Sequence, residues 1–530
     1  MYNGQDITTK CFTLIAFFVT IADYESNEYP SNRWLVLAVM SLSLVIVMLN
    51  NVTLNVALPE LSTDLEADNS ELQWIMDSYA LVFGGTLLVM GALGDRFGRK
   101  GALQIGLIIV GAASAWTALY AETSNHVILA RAVMGLGAAL VMPSTLSVVL
   151  VVFPPNERGK AIGIWAAMAG VGAPIGLIVG GWAVENYNWE MVFLINVPVI
   201  IFALIAGALI VPRSKDKHER PLDLVGAILS VISLASLLYG IIEGPTLGWL
   251  DIEVLGSFAI AIITGLAFVM WQNKTEFPLL PLEFFKNQKF TLGLVAIALA
   301  FFVMFSFMFM QMLHFQLVRG HSALSAAIRF FPLPIALMPA AANSDKLVAK
   351  FGRPNVITTG LILVAIGLFL FILVEVDTSY WQIAATFALL GMGMGLTMAP
   401  STTAVMDAIP ESKAGVGSAT NDASREIGGA LGIAIGGSVL NEIYQNTITI
   451  PNSAMGNSGL IESSFPAAIK IGSQMLASGN MEGADLIASA KEAFVEGMIG
   501  ACIVAGCVAL VAAFLVKWKM PEDDPPSEEE

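Results

Sequence analysis

Polar residues are scarce along this chain, and where they cluster they mark joints between long apolar runs. Such runs lie near 34–56, 74–94, 101–120, 125–150, 159–183, 190–211, 223–242, 253–271, 290–313, 323–342, 355–374, 380–406, 416–440 and 494–516. About twenty helical residues cross the hydrocarbon core of a bilayer. Lipid offers no partner for backbone N–H and C=O groups, so a spanning segment is a helix or part of a closed barrel; unbroken rather than alternating runs select the helix. The pattern therefore predicts an all-α polytopic membrane protein with fourteen transmembrane helices. Residues 11–22 form a run too short to span. The acidic stretch after it, Asp23 to Glu28, lacks the small-residue cleavage site of a signal peptide, so residues 1–33 read as an interfacial lead-in.

Composition narrows what such a chain can do. It is 56% hydrophobic and 13% charged, with mean hydropathy +0.74, far from soluble domains. Much of the formal charge of −16 sits in outer loops and in the tail Glu522–Glu530, which are solvated faces and imply no nucleic-acid partner. Cys11, Cys502 and Cys507 stand in apolar surroundings without metal-ligand spacing, so neither a metal site nor a disulfide framework is expected. Arg158-Gly159-Lys160-Ala161 lacks the upstream glycine and the Ser/Thr of a phosphate-binding loop, which argues against ATP as the energy source. No nucleophile–base pair emerges, so no catalytic residue and no enzyme activity is expected.

The turn Gly91-Ala-Leu-Gly-Asp95-Arg96-Phe-Gly98-Arg99-Lys100 sets the orientation. Placing it in the cytoplasm puts Arg33, Arg158, Lys160, Arg213, Lys215, Lys217, Arg220, Lys274, Lys346, Lys350, Arg353 and Lys517 on the same side, and leaves Arg319, Lys470 and Lys491 outside. That is the positive-inside asymmetry, and an even number of spans then puts both termini in the cytoplasm.

Two echoes divide the chain. Phe97-Gly98-Arg99 recurs as Phe351-Gly352-Arg353, after a weaker Asp345-Lys346, at an offset of 254 residues. The ladder Gly172, Gly176, Gly180 in span 5 recurs as Gly428, Gly432, Gly436 in span 13, at an offset of 256. Both shift by eight spans, as expected of a six-span repeat with two spans inserted. The expected organisation is a lead-in at 1–33, a six-helix bundle at 34–211, two inserted helices at 212–272, and a second bundle at 273–516 that carries the outer loop 441–493. An acidic tail follows at 517–530. Small-xxx-small ladders let helix backbones approach closely in lipid, so spans 5 and 13 are candidates for the interfaces along which the halves rock.

Charges inside the membrane cost at least about 2.5–3.5 kcal/mol on insertion scales, so each needs a reason. Asp77 in span 2, Arg131 in span 4, and Asp422, Arg425 and Glu426 in span 13 stand out. The last three share a helix face by i, i+3 and i, i+4 spacing. Two carboxylates beside one Arg leave one as a candidate for proton uptake, against the alternative of a purely structural ion pair. His314 and His321 at the outer end of span 9 read as interfacial. The soft stripe Phe301 to Met312, with Met304 and Met308, could line an apolar pocket or simply face lipid or core.

The turn fits G-x-x-x-D-R-x-G-R-K at every fixed position and resembles the signature of the major facilitator superfamily. Leu129-Ala-Arg131-Ala-Val-Met134-Gly135-Leu-Gly137 is similar to that superfamily's fourth-span motif, with Met134 where Gln is usual. Gly172-Ala-Pro174-Ile-Gly176-Leu177-Ile-Val-Gly180-Gly181 resembles its fifth-span antiporter motif, with the usual Gly-Pro pair broken by Leu177. With Ile242-Glu-Gly-Pro245…Gly248-Trp249 and Lys413-Ala-Gly-Val-Gly…Arg425-Glu-Ile-Gly-Gly, the chain resembles most closely the fourteen-span drug:H⁺ antiporters.

That resemblance implies a major facilitator fold and alternating access in the cytoplasmic membrane of a bacterium. It also implies export of a small amphipathic molecule against protons, with the proton gradient in place of a cofactor, by a monomer surrounded by lipid. Arg131 would serve proton transfer. Asp95 would latch onto a cation or helix end of the other half, while Arg96, Arg99 and Lys100 hold the turn at the anionic leaflet. In the first span, Leu49-Asn50-Asn51-Val52-Thr53-Leu54-Asn55-Val56-Ala57-Leu58-Pro59 carries Asn50 where the family has Asp. Asn50 and Asn55 are pocket candidates, and Asp77 could take over the missing charge. An importer of an organic solute, or a non-transporting scaffold or sensor, remain the alternative readings.

Overall fold

Glycines, prolines and polar caps at the joints cut one apolar chain into rods. The computed structural model describes residues 29–65, 69–214 and 222–522. The lead-in through residue 28 with Cys11, the cations Lys215, Lys217 and Arg220, the tail from 523, and the side chains of Asn55 and Pro174 lie outside the described residues.

The long helices are α1 (Arg33–Val52), α2 (Asn69–Phe97), α3 (Arg99–Tyr120), α4 (Ser124–Val152), α5 (Pro155–Asn186), α6 (Trp189–Ile210), α7 (Leu224–Leu247), α8 (Ile252–Gln272), α9 (Gln288–Leu313), α10 (Pro332–Phe351), α11 (Arg353–Phe369), α12 (Tyr380–Asp407), α13 (Ala414–Thr447) and α14 (Glu482–Lys519). Thirteen described segments are long and apolar enough to cross a membrane, and α10 is the one long helix outside that set. Its last two turns carry Asn343, Ser344, Asp345 and Lys346, which lower its hydropathy although it packs between α5 and α12. With α10 counted by position, the architecture is the expected all-α fold of fourteen spans.

Local chemistry sets the ends. Gly98 (φ 112°) joins α2 to α3, and Gly352 (φ 82°) joins α10 to α11, in a backbone region where a Cβ is strained. Pro155, Pro332 and Pro354 sit in the first turns of α5, α10 and α11, where their missing N–H is not needed. Asp223, Asp251 and Asn287 accept backbone hydrogen bonds of 2.8, 2.8 and 2.9 Å at the starts of α7, α8 and α9.

Packing repeats with a shift of eight helices. The pairs α1·α4, α1·α5, α1·α6, α2·α4, α3·α4 and α3·α6 recur as α9·α12, α9·α13, α9·α14, α10·α12, α11·α12 and α11·α14. Contacts between the two sets obey the same rule, with α2·α13 matching α10·α5 and α4·α13 matching α12·α5. Glycines make the approaches possible. A Cβ on Gly106 would lie 2.6 Å from the Gly137 carbonyl oxygen, and one on Gly360 would lie 2.7 Å from that of Gly393.

The two ladders do something other than expected. Gly172, Gly176 and Gly180 face Met48, Leu49 and Thr53 at the end of α1, while Gly428, Gly432 and Gly436 face Ala298, Phe302 and Ser306 of α9. Each ladder therefore welds its helix to a neighbour within its own set of six. The seam between sets is instead lined by Gly91 against Gly415, Gly163 against Ala341, Gly170 against Leu337, and Gly181 against Leu324.

The inserted α7 and α8 pair with each other, and α7 lies on α2 and α13. Ile260, Ile262, Ile263 and Leu266 of α8 are exposed, as suits a lipid-facing surface. The outer segment is shorter than expected, because α13 runs to Thr447 and α14 begins at Glu482. Between them Phe465–Ala477 lies along α14, with Phe465 stacked on Phe494 at 4.6 Å.

Candidate functional site

At the Gly98 end, Asp95 is 5% exposed and is held from both sides of the seam. Arg99 Nε and Nη2 donate to its Oδ1 at 2.9 and 2.8 Å, and the backbone N–H groups of Gly415 and Val416, in the first turn of α13, donate at 2.8–2.9 and 3.2 Å. A carboxylate there meets unsatisfied N–H groups and the positive end of the helix dipole. Arg99 Nη2 also donates to the Glu411 carbonyl at 2.5 Å, and Arg158 forms an ion pair with the Glu411 carboxylate. Glu411, just before α13, joins the contacts around Asp95 through Arg99 and Arg158, and sequence reasoning missed it; only its place in a polar joint marked it. Lys100 is 2% exposed and donates to the Ala208 carbonyl at 2.7 Å. Buried Arg99 and Lys100 thus serve protein partners and not a lipid leaflet, while half-buried Arg96 lies over the Phe97 ring.

The second copy of this turn is out of register by one helical turn. At the offset of 254, Asp345 matches Gly91 and Ala349 matches Asp95. Accordingly Asp345 abuts Gly159 of α5, just as Gly91 abuts Gly415 of α13, and Arg353 pairs with Asp407 at 3.0 Å.

Deeper in the first six helices, Gly135 lets α4 press on α2, since a Cβ there would lie 2.6 Å from the Tyr79 carbonyl oxygen. One turn earlier, Arg131 (1% exposed) uses that closeness. Its Nη1 donates to the Asn50 carbonyl at 2.6 Å, its Nε to the Ile75 carbonyl at 3.1 Å, and its guanidinium lies 4.4 Å from the Tyr79 ring centroid. Tyr79 in turn donates to the Val47 carbonyl at 3.1 Å. The Asn50 amide donates to the Ile46 carbonyl at 2.9 Å and accepts from Asn196 at 3.4 Å, so the side chain stands in a neutral network. Asp77 is half-buried and in the electrostatic field of Arg131. At the matching place in the other set, Phe387 replaces Arg131 and packs on Phe330 and Phe307 at 5.2 and 5.3 Å.

The second charged cluster bridges the seam. Arg425 of α13 is 1% exposed, with its guanidinium carbon 4.8 Å from the Trp165 centroid on α5 and 5.3 Å from Phe301 on α9. Its Nη1 lies 3.6 Å from Asp422 Oδ1 and its Nη2 donates to Thr402 at 3.1 Å. Asn421 donates to Asp422 at 3.2 Å. Arg425 Nε and Nη1 and Asp422 Oδ2 are buried without hydrogen-bond partners. Trp165, fully buried and donating to Thr145 at 3.1 Å, was missed; the only sequence signal was a lone Trp among small residues. Glu426 does not close the same pair. It turns toward α2, where a Cβ on Gly84 would lie 3.8 Å from its Cβ, within the electrostatic field of Tyr79. The three residues thus stay within one another's electrostatic field, with Asp422 and Arg425 as a buried pair and Glu426 beside them on the side of α2.

Other candidates are scattered. Met304 is buried and Met308 half-buried on α9, away from Asn50, whose partners lie on α1, α4 and α6. His314 is 0% exposed and takes a 2.8 Å hydrogen bond with Gln311, so it is core and not interfacial. Arg329, which hydropathy placed inside span 10, precedes α10 and lies over the Tyr380 ring.

Residues 40–433 match the family model described as Major Facilitator Superfamily. The multidrug efflux pump LfrA of Mycolicibacterium smegmatis is 31% identical over 93% of this chain and 97% of that protein. The tetracenomycin C resistance and export protein of Streptomyces glaucescens is 30% identical over 93% of each, and the methyl viologen resistance protein SmvA of Salmonella typhimurium is 31% identical over 91% of this chain and 97% of its own. The human organic anion transporter MFSD10 (TETRAN) superposes with a TM-score of 0.59 at 14% identity, over 92% of this chain and all of that one, a likeness of fold alone.

Proposed function

This chain belongs to the major facilitator superfamily of multi-pass membrane transporters, and from that premise we propose that it is a proton-coupled antiporter that exports amphipathic or lipophilic small molecules. Relatives named for efflux, export and resistance support the direction and the substrate class. It works as a monomer in the inner membrane of a bacterium, with both termini in the cytoplasm, and draws on the proton gradient.

The observation that carries the reading is the Asp422–Arg425 pair, buried at the seam with unsatisfied polar atoms and stacked across it on Trp165. An ion pair desolvated with so few hydrogen bonds gains little net energy from its own attraction, so it is held for another purpose. A proton reaching Asp422 neutralises the carboxylate and releases the guanidinium. Arg425 can then change its hold on Trp165, which couples protonation to the seam. Glu426 and Tyr79 connect this cluster with Arg131 and Asp77 in the other half, a route for protons entering from outside. The compound binds between the two halves near the midplane, while Asp95 at the end of α2, docked on the first turn of α13, holds the cytoplasmic end shut in the outward-facing state. Export driven by a pH gradient in liposomes, compared with Asp422→Asn, tests this reading.

A further inference from the structure

The Ile242-Glu243-Gly244-Pro245 stretch on the inserted pair has no part in the scheme above, yet it holds a costly group. Glu243, at the end of α7 opposite the latch, is 8% exposed and has no hydrogen-bond or ion-pair partner among the described residues. The charged group facing it is Glu253, near the start of α8, and Asp251 lies beyond Tyr239. Both have its own sign. One turn before Glu243, the Tyr239 ring lies 6.1 Å from Trp74 of α2, with the planes 32° apart.

The surroundings keep this cluster in place. Gly84 and Gly85 of α2 lie against Leu238 and Ala235, which brings α7 close beside Trp74. Gly244 leaves room for Trp249, whose indole donates to Ser438 of α13 at 3.2 Å and whose ring stacks on Phe258. The result is a cluster in which Glu243 stands one turn from the Trp74–Tyr239 ring pair, with exposed Glu253 hydrogen-bonded to Tyr239 beside it.

A carboxylate buried among apolar helices without a partner is expensive, and aromatic faces beside it attract a cation through the ring quadrupole. Hard divalent ions need six or more oxygen ligands, which two carboxylates and a phenol do not supply. We propose that Trp74, Tyr239, Glu243 and Glu253 form a binding site for a monovalent amphipathic organic cation at the outer end of the α2–α7 seam. Trp74 precedes Asp77 by one helical turn, so the site stands beside the outer approach to the charged interior. This inference rests on the efflux reading and gives it a release site for cationic compounds. The same chemistry would also take the choline headgroup of a lipid.

The test uses the full-length protein in phosphatidylglycerol nanodiscs, with tetraphenylphosphonium as probe and calorimetry as readout. It is run in an Asp77→Asn/Asp422→Asn background, which removes carboxylates assigned to transport. Saturable binding is expected to persist, to weaken about tenfold in Glu243→Gln and in Trp74→Leu, and to change about twofold in Glu253→Gln, whose charge is solvated. Glu243→Asp should recover most of the affinity. Binding unchanged in both Glu243→Gln and Trp74→Leu, with each variant monodisperse, overturns the proposal. A lower apparent affinity in phosphatidylcholine nanodiscs would hand the site to lipid headgroups and overturn its role in export; equal affinity supports that role. Should the unmutated protein bind the probe through Glu243 yet move it under no pH gradient, the antiport reading fails and the site stands.

Discussion

The carboxylate of Asp95 accepts the backbone N–H of Gly415 through both oxygens, at 2.9 and 2.8 Å, so the end of α2 is docked on the first turn of α13. A charged acceptor at a helix N-terminus contributes up to about 2 kcal/mol when partly buried. That is enough to bias two nearly balanced conformations by about tenfold or more.

Asp95→Asn keeps the side chain's shape and removes its charge. It is expected to shift the population toward the conformation open at this end by about tenfold, read as increased labelling of a cysteine placed in the latch seam. Asp345→Asn should shift it far less, because Asp345 occupies the register of Gly91 and its pairing role is not matched to that of Asp95.

Trp165 and Arg425 supply a second test. Trp165→Phe retains a ring under the guanidinium and should keep most transport. Trp165→Leu removes a desolvated cation–π contact of about 2 kcal/mol and should cut transport by more than tenfold, measured as initial flux at equal protein content. Arg425→Lys should resemble Trp165→Leu, because an ammonium cannot both stack as a plane and reach Thr402.

Several of these residues were visible in the sequence as types but not as partners. The fourteen apolar runs announced the all-helical fold, since lipid forces helices, and the turn at Gly91–Lys100 marked the joint between α2 and α3. The glycine ladders announced close packing by their spacing. Nothing in that spacing said that Gly428 and Gly432 would meet α9 and not the opposite half, because both faces of α13 are rich in small residues. Helical spacing grouped Asp422, Arg425 and Glu426 correctly along the helix. It could not show that the seam would draw Glu426 toward α2 while Arg425 turned to Trp165. Trp165 and Glu411 were passed over because each gains its meaning only from a residue more than two hundred positions away.

Asn50 is open to a gain-of-charge test. Asn50→Asp sets a carboxylate beside the guanidinium of Arg131, whose Nη1 already reaches the Asn50 carbonyl at 2.6 Å. A partner for Arg131 should leave folding intact. The added charge should raise export of a dication such as methyl viologen relative to the monocation tetraphenylphosphonium by about threefold to tenfold, measured as the ratio of initial fluxes.

His321, in the joint before Ala323–Arg329, serves as a negative control. Burial first, then the Arg329 and Arg319 guanidiniums, holds its imidazole below the ordinary range. With its folded pKa depressed, the imidazole stays neutral in the fold while the unfolded chain takes up a proton, so stability declines as pH falls from the ordinary imidazole pKa toward the folded one and is constant above that window. His321→Ala should therefore leave the pH profile of transport between pH 6 and 8 unchanged within about twofold, measured as flux against external pH.

Proton coupling through α13 is tested most directly by tetraphenylphosphonium uptake into liposomes of the purified protein with an imposed acidic lumen. Protons leaving down their gradient should drive accumulation of the cation. Nigericin with equal potassium on both sides, which collapses the pH difference without creating a membrane voltage, should abolish that accumulation, and Asp422→Asn should lose most of it while still binding the probe. Accumulation that survives nigericin, or that is undiminished in Asp422→Asn, would contradict the account.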